Sequence, residues 1–219
     1  MRRAIFSAMI QSPRLIVGIS GASGVVYGIR LLETLRALSI ETHLVMTRAA
    51  LATLAVESAH TPLQVRALAT VCHELANVGA PIASGSFHTL GMVVAPCSIR
   101  TMSEIATGVT STLLTRAADV VLKERRRLVL MVRETPLHLG HLRTMVALTE
   151  MGAVIAPPVP GWYARPDSLD ALIDHTVGRV LDLFGIDSGR VNRWSGWQPE
   201  PPMVESCGED RPCPTPGGS

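Results

Sequence analysis

Short apolar runs alternate along the chain with longer segments in which apolar residues recur every three or four positions. The runs that we predict to be strands are residues 14–19, 41–47, 90–95, 128–132 and 153–156. The segments that we predict to be helices are residues 25–38, 48–57, 61–69, 101–106, 110–125, 139–151 and 168–184. The first helix carries Ile29, Leu32, Leu35 and Leu38 on one face. Regular alternation of this kind predicts an α/β fold with a mostly parallel sheet that helices cover.

The pattern divides the chain into one domain and two flanking segments. Residues 14–195 carry the alternation and suit a single α/β domain in a chain of 219 residues. Residues 1–13 place Arg2 and Arg3 before a short apolar stretch, which we interpret as a flexible N-terminal extension rather than a targeting peptide. Residues 196–219 are rich in proline, glycine and acidic residues, so we predict a disordered tail.

Composition narrows the classes of function. Apolar residues make up 47% of the chain and the mean hydropathy is +0.30, which fits a sizeable core and further apolar surface buried between subunits. A net charge of +2 is too small to indicate a nucleic-acid partner. No apolar run reaches the roughly 18 residues that a membrane helix needs. The four cysteines lack the spacing of a zinc site, so we expect no metal. Their number and arrangement suit a reducing, cytoplasmic setting.

The first predicted strand runs into a glycine-rich turn, Gly21-Ala22-Ser23-Gly24. Ligands of doubly wound sheets bind beyond the carboxyl ends of the strands, where glycines let a ligand approach the backbone and the next helix offers N–H groups to an anion. The Gly-x-x-Gly-x-x-Gly spacing differs from that of a dinucleotide site, and Thr47 ends the second strand where such a site usually has a carboxylate. The turn indicates an anionic ligand other than NAD, with a tight turn without a ligand as the alternative.

Two later strand ends also carry polar residues. Ser98, Arg100 and Thr101 precede a predicted helix, where they could bind a phosphate, cap the helix, or do both. Arg133 and Glu134 directly follow a buried strand, and charges in that position need a partner or a ligand. These residue types indicate a site for a mononucleotide, with charged groups to spare for a second phosphorylated substrate.

Several isolated residues allow two interpretations each. Glu57 and Glu134 could do acid–base work together, although either alone is more often a surface residue. Tyr163 and Arg179 could both hold a phosphate, or else pack and face solvent. Cys97 has no recognisable base nearby in the sequence, so we interpret it as a small buried residue rather than a nucleophile.

One basic cluster stands out from the scattered charges of the chain. It comprises Lys123, Arg125, Arg126 and Arg127. A solvated helix end and a site for an anion are equally good interpretations of this cluster.

Five segments together resemble the bacterial flavin prenyltransferases, the UbiX family. They are residues 15–24 (LIVGISGASG), 85–98 (GSFHTLGMVVAPCS), 114–126 (LTRAADVVLKERR), 132–140 (VRETPLHLG) and 152–163 (GAVIAPPVPGWY). The resemblance extends over about residues 14–194, and long motifs of this kind are far more specific than a lone glycine motif.

The resemblance implies a Rossmann-like, flavodoxin-like three-layer sandwich that assembles as a homododecamer. It implies that reduced FMN accepts a dimethylallyl group, donated by dimethylallyl monophosphate, at N5 and then at C6 of the flavin. The product, prenylated FMN, would serve a partner decarboxylase in ubiquinone synthesis or in aromatic-acid decarboxylation. Loss of phosphate from an allylic carbon leaves a cation, and the phosphate's charge must be held by arginine and lysine.

The resemblance also assigns roles to residues by position. The FMN contacts would be Gly21, Ala22, Ser23, Thr47, Ser98, Ile99, Arg100, Thr101 and Arg133. The prenyl phosphate would be held by Arg116, Lys123, Tyr163 and Arg179, some of them from neighbouring subunits. Proton transfer and orientation of the donor would fall to Ser23, Glu57 and Glu134.

Within the matched region the sequence departs from the family pattern at two positions. Thr47 stands where relatives often have serine, and Val78 where some have tryptophan.

Two alternative functions remain open. One alternative is an FMN-dependent cysteine decarboxylase, which would need a base such as His88, His138 or His141, for which we expect structural roles. The other alternative is a non-catalytic FMN carrier, which would not need the second set of cationic residues.

Overall fold

The computed structural model describes residues 13–194 and residue 196, which form an α/β sandwich around a six-stranded sheet. The strands are β1 (Arg14–Ile19), β2 (Glu41–Met46), β3 (Val71–His73), β4 (Gly91–Cys97), β5 (Arg127–Val132) and β6 (Val154–Ile155). The helices are α1 (Val25–Ala37), α2 (Arg48–Glu57), α3 (Pro62–Leu68), α4 (Ile99–Ala106), α5 (Leu113–Lys123), α6 (Leu139–Glu150) and α7 (Leu169–Asp182). The predicted extension and tail lie outside the described residues except for Pro13 and Gly196, so both stay predictions.

The sheet is parallel throughout and has the order β3-β2-β1-β4-β5-β6. The chain moves outward from β1 to β3 on one side and then returns to β4 on the other side of β1. The strand order therefore reverses between β1 and β4, and a crevice opens there beyond the carboxyl ends of these two strands. This crevice is where a doubly wound sheet binds its ligand.

Alternation along the strands builds one apolar core on each face of the sheet. Val17 and Ile19 of β1 point to the face covered by α1 and α7, whereas Ile16 points to the face covered by α4 and α5. The predicted three-layer sandwich is confirmed. No helix among the described residues is long and apolar enough to span a membrane.

Most element boundaries agree with the predictions to within two residues, and the exceptions have local causes. β3 was not predicted, because a three-residue edge strand with the sequence Val-Cys-His shows no alternation. α5 begins at Leu113, three residues later than predicted, because the side chain of Thr112 caps it there. Leu38 lies just beyond α1 and is 38% exposed, so the predicted apolar face of α1 ends at Leu35.

Gly28 is the point at which α1 crosses the sheet most closely. A Cβ atom on Gly28 would lie 2.4 Å from the backbone oxygen of Ala95 in β4 and 2.8 Å from Cδ1 of Ile19. A backbone carbonyl in a central strand cannot move without disturbing its neighbours in the sheet, so the residue at this position has to be glycine. The close approach holds the start of α1 against the crevice.

We predict that Gly28→Ala lowers the free energy of unfolding by about 1–3 kcal/mol, because the clash outweighs the roughly 1 kcal/mol of helix propensity that alanine gains. Gly79→Ala is a matched control, since a Cβ atom there meets nothing closer than 3.6 Å. Urea unfolding of both variants at equal protein concentration checks this. Equal stability of Gly28→Ala and Gly79→Ala would contradict the close-approach explanation.

Candidate functional site

A cleft of about 280 Å³ occupies the crevice at the β1–β4 reversal. Five of the predicted site residues line it: Gly21, Thr47, Ser98, Arg100 and Thr101. Gly21 is required here because a Cβ atom would lie 2.2 Å from Cβ of Ala49, at the start of α2. The turn after β1 therefore packs directly on α2, and the cleft opens beside that contact.

Three helices begin at the wall of this cleft, and a hydroxyl caps each of them. Thr47 Oγ1 accepts a hydrogen bond from the N–H of Ala50 (3.1 Å) in α2, and Ser98 Oγ accepts one from the N–H of Thr101 (3.3 Å) in α4. Thr112, which sequence reasoning missed, caps α5 in the same way. Helix N-termini carry partial positive charge and free N–H groups, so their convergence suits a phosphate.

Ser20 ties the turn after β1 to the end of β4. Its Oγ donates to the carbonyl of Pro96 (2.9 Å) and accepts from the N–H of Ser98 (2.7 Å). Ser20 is buried, so these bonds satisfy a hydroxyl that would otherwise be costly to exclude from water. No local pattern pointed to Ser20, because its partner atoms belong to the backbone at the end of a strand that is distant in the chain.

Glu57, at the end of α2, caps the N-terminus of α1. One carboxylate oxygen, Oε2, accepts hydrogen bonds from the N–H groups of Gly24 (2.8 Å) and Val25 (3.1 Å). Gly24 itself has φ of +98°, in the left-handed region, and offers no side chain as a cap. The expectation that these N–H groups are free for an anionic ligand is therefore wrong: the anion at the start of α1 is Glu57.

The surroundings of Glu57 keep it ionised. Partial burial acts to raise the pKa of the Glu57 carboxyl, but hydrogen bonds from the Ser23 side chain and from the N–H groups of Gly24 and Val25 lower it, and so does the charge of Arg133. The net direction is a pKa below the ordinary value. Three residues from separate predicted motifs, Ser23, Glu57 and Arg133, are thus brought together beside the glycine turn after β1.

The remaining predicted residues at the strand ends take the following positions. Ala22 is buried in the turn, and Ile99 packs partly buried against the core beneath α4. Arg133 donates its N–H to the carbonyl of Cys97 (3.1 Å), and Glu134 accepts a hydrogen bond from the N–H of Thr135 (3.0 Å). Both side chains of the Arg133–Glu134 pair are exposed at the carboxyl edge of the sheet.

Four residues expected to hold the prenyl phosphate are spread over the molecule. Arg116 pairs with Asp119 (2.7 Å) in the first turns of α5, and Lys123 pairs with Glu124 at the far end of α5. Arg179 pairs with Asp182 (2.6 Å) in the last turn of α7, and Tyr163 Oη lies 3.2 Å from Nε2 of His175. Because α5 and α7 run antiparallel to the strands, Lys123 and Arg179 lie toward the amino edge of the sheet, away from the cleft.

The basic cluster after α5 is largely committed to internal contacts. Arg126 donates to the carbonyl oxygens of Phe87 and Gly85 (both 2.6 Å), and Arg127 donates to the carbonyl of Leu183. These guanidinium groups hold loops at the amino edge of the sheet. Of the cluster, Lys123 and Arg125 are the exposed residues that line a separate surface cavity of about 440 Å³.

The interpretation of Cys97 as a small buried residue is confirmed. Its side chain is fully buried in β4, and burial raises the pKa of the thiol, which disfavours the thiolate that a nucleophile needs. His138 caps α6 by accepting a hydrogen bond from the N–H of Gly140 (3.0 Å), as expected of a structural residue.

Arg48 is a candidate ligand that sequence reasoning missed. It is the first residue of α2, directly after Thr47, and it lines both the cleft and a neighbouring cavity of about 430 Å³. A cation at the N-terminus of a helix is unfavourable for the helix itself, so its position is better explained by an anion in the cleft. Its place immediately after the predicted Thr47 was the available signal.

These features define a doubly wound α/β protein with a cleft for a phosphate-bearing mononucleotide. A family model for the flavoproteins matches residues 4–181. The flavin prenyltransferase UbiX of Escherichia coli K12 is 60% identical over 186 residues, which span 84% of this chain and 98% of the relative. The corresponding protein of Thauera aromatica is 54% identical over 183 residues, 84% of this chain and 94% of its own length. The chain belongs to the flavoprotein family and, within it, to the UbiX flavin prenyltransferases.

Solved structures agree with this assignment. The crystal structure of AnUbiX (PadA1) in complex with FMN and dimethylallyl pyrophosphate superposes with a TM-score of 0.84 at 49% identity, covering 86% of this chain and 100% of that one. A dodecameric FMN-dependent UbiX-like decarboxylase from Escherichia coli O157:H7 gives 0.82 at 46% identity, covering 84% and 100%. The cysteine decarboxylase TvaF, at 20% identity and a TM-score of 0.53, shares the fold alone.

We predict that the contribution of Glu57 to stability disappears in acid. A pKa that is lower in the folded chain means that the contribution is complete above the ordinary carboxyl pKa of about 4.3 and is lost as the pH falls through the lowered value. Glu57→Gln should lower the thermal midpoint at pH 7 by about 1–2 °C, because it loses roughly 0.5 kcal/mol of helix-dipole interaction.

Thermal unfolding of the wild type and of Glu57→Gln between pH 7 and pH 3 measures this difference. Glu150→Gln, an exposed carboxylate at the end of α6, is the control that should show no such convergence. A Glu57→Gln difference that stayed constant down to pH 3 would contradict a charge-dependent cap.

Proposed function

We propose that this chain is a flavin prenyltransferase that transfers a dimethylallyl group from dimethylallyl monophosphate to reduced FMN. The observation that carries the proposal is the meeting of Ser23, Glu57 and Arg133 at the glycine turn after β1, whose Gly21 lines a cleft walled by capped helix N-termini. Relatives with this activity, 50–60% identical over most of the chain, support the same conclusion.

The residues of the cleft suit FMN. Thr47, Ser98 and Thr101 offer hydroxyls beside the N-termini of α2 and α4, which fit a terminal phosphate, and Gly21 lets the turn that borders the cleft pack against Ala49 of α2. Arg133, directly after β5, is a further residue that would contact FMN. Reduced FMN would supply the nucleophilic N5 and the C6 position that accept the prenyl group.

Ser23 and Glu57 form the proton-handling pair of the proposed site. The Ser23 hydroxyl donates to a carboxylate that stays ionised at neutral pH, so Glu57 can accept a proton through Ser23. A fixed negative charge also favours an allylic cation as the donor loses its phosphate. Glu134, next to Arg133, is the second carboxylate that we assign to proton transfer and donor orientation.

A second copy of the chain completes the donor-phosphate site in this proposal. Lys123 and Arg179 point away from the cleft of their own chain, so they reach a cleft only across an interface between subunits. Tyr163 and Arg116 join them as phosphate ligands. A transferase needs these four groups to bind the phosphate that leaves the donor, whereas a carrier binds only the one phosphate of FMN.

The surface of α6 supports assembly. Leu139, Leu142 and Val146 are 59%, 46% and 57% exposed, and Leu148 is the one residue of α6 that is buried. An apolar helix face of this kind is a poor surface for a monomer and a good one for a subunit interface. We propose a homododecamer, in keeping with the dodecameric UbiX-like neighbour.

The product defines the class of protein that follows it. Prenylated FMN would leave for a decarboxylase that uses it as a cofactor, in ubiquinone synthesis or in the breakdown of aromatic acids. We place both proteins in the cytoplasm, where reduced flavin and the prenyl donor are available together. His88, His138 and His141 have no part in this chemistry.

The first test is the mass of the flavin after anaerobic incubation of the protein with reduced FMN and dimethylallyl monophosphate. We expect a flavin heavier by one five-carbon unit, with weak product formation for Ser23→Ala and for Arg179→Ala and a slower rate for Glu57→Gln. Recovery of unmodified FMN from the wild-type protein would contradict the proposal and favour the carrier. The same assay with dimethylallyl diphosphate identifies the donor.

A second test asks whether two subunits share one site. Lys123→Ala and Glu57→Gln, each of low activity alone, are refolded or co-expressed together as mixed oligomers. If Lys123 serves the cleft of a neighbour, random mixing at equal amounts restores about a quarter of the sites. Each variant mixed with itself is the control, and mixed oligomers with no recovery would place Lys123 in its own chain's site or in neither.

A further inference from the structure

Tyr163 and His175 form a hydrogen-bonded pair between the turn after β6 and the middle of α7. Tyr163 Oη lies 3.2 Å from Nε2 of His175, and the rings meet edge to face with centroids 5.4 Å apart. Tyr163 is 52% exposed, whereas His175 is only 7% exposed. One member of the pair therefore faces a ligand or solvent, and the other is enclosed by the protein.

His175 is buried at the margin of the core on the α1 and α7 face, where it also lines a polar cavity with Asp174, Arg190 and Asn192. Its helix neighbours Val177 and Leu181 belong to that core. Gly161 packs closely against both rings, since a Cβ atom there would lie 3.0 Å from Cε1 of His175 and 3.3 Å from Cε1 of Tyr163. A buried imidazole needs hydrogen-bond partners, and the Tyr163 hydroxyl is the one that Nε2 finds.

We propose that His175 is a positioning residue that donates a hydrogen bond from Nε2–H to Tyr163 Oη and so reserves the Tyr163 hydroxyl proton for the phosphate of the prenyl donor. This inference rests on the proposed function, in which Tyr163 binds that phosphate. His175 has no contact with substrate in this scheme and acts through Tyr163 alone.

The direction of this hydrogen bond follows from counting protons. A phenol has one proton to donate and lone pairs with which to accept. A phosphate in its bound form offers only acceptors, so Tyr163 must give it that single proton. Tyr163 can do so while bonded to His175 only if the Nε2 of His175 is the donor. The bond then fixes the rotation of the hydroxyl before the phosphate arrives, which lowers the entropic cost of binding.

The test measures binding rather than turnover. Calorimetry on the assembled protein loaded with oxidised FMN gives the dissociation constant of dimethylallyl monophosphate without reaction. We expect His175→Phe to raise that constant about fivefold to tenfold, the usual effect of losing one hydrogen bond. His175→Gln, whose amide reaches the same point and can donate, should stay within about twofold of the wild type, whereas the shorter His175→Asn should resemble His175→Phe.

A double-mutant cycle with Tyr163→Phe separates positioning from packing. If His175 acts through the hydroxyl, His175→Phe adds no further loss once Tyr163→Phe is present. His43→Phe is a matched control, because His43 is 4% exposed and its ring contacts Phe87, which packs on the core of the opposite face of the sheet; it should leave donor binding unchanged. The affinity for FMN should be unchanged in every variant of Tyr163 and His175.

The outcomes are distinct for the two levels of the proposal. Unchanged donor binding in Tyr163→Phe would remove Tyr163 from the phosphate site and overturn that part of the proposed function. Weaker binding in Tyr163→Phe with unchanged binding in His175→Phe and His175→Asn would overturn the role of His175 alone. An equal loss from His175→Phe in both Tyr163 backgrounds would also overturn it, since the histidine would then act by packing.

Discussion

The hydrogen bonds from the backbone of Gly24 and Val25 to Glu57 hold the functional end of the molecule together. They join the glycine turn after β1 to the end of α2, and so place Ser23 beside a carboxylate that remains charged. The helix dipole of α1 and the proposed proton transfer use the same carboxylate. A single side chain thereby supports both the local fold and the chemistry that we assign to it.

The residues that suit the two phosphates lie in different parts of the molecule. The hydroxyls of Thr47 and Ser98 serve helix N-termini and suit a phosphate, while Ser20 fixes the distance between β1 and β4 beneath them. The charged residues that suit the second phosphate lie largely elsewhere on the surface. In the function that we propose, one folded chain presents most of a flavin site and only part of a donor site, and assembly with other copies completes the donor site.

The pairing of His175 with Tyr163 shows how a buried residue can act on a ligand site without touching the ligand. A buried histidine that is hydrogen-bonded to an exposed hydroxyl can determine which way that hydroxyl points its proton. Arg48 shows the complementary case, in which a cation at an unfavourable helix position indicates the ligand's charge. The role that we assign to His175 follows from its contacts alone, whereas Arg48 also had a signal in the sequence, its place directly after Thr47.

The sequence by itself determined the α/β class, nearly all strands and helices, and the strand ends that carry Gly21, Ser98 and Arg133, because periodicity and glycine placement are local properties of the chain. Its motifs also sufficed to identify the family. Only the tertiary structure decided that Glu57 caps α1, that Ser20 bridges β1 and β4, and that Lys123 and Arg179 lie at the opposite edge of the sheet from the cleft. These relations join residues tens of positions apart, and their geometry is set by the packing of helices on both faces of a sheet whose order the chain's local pattern does not encode.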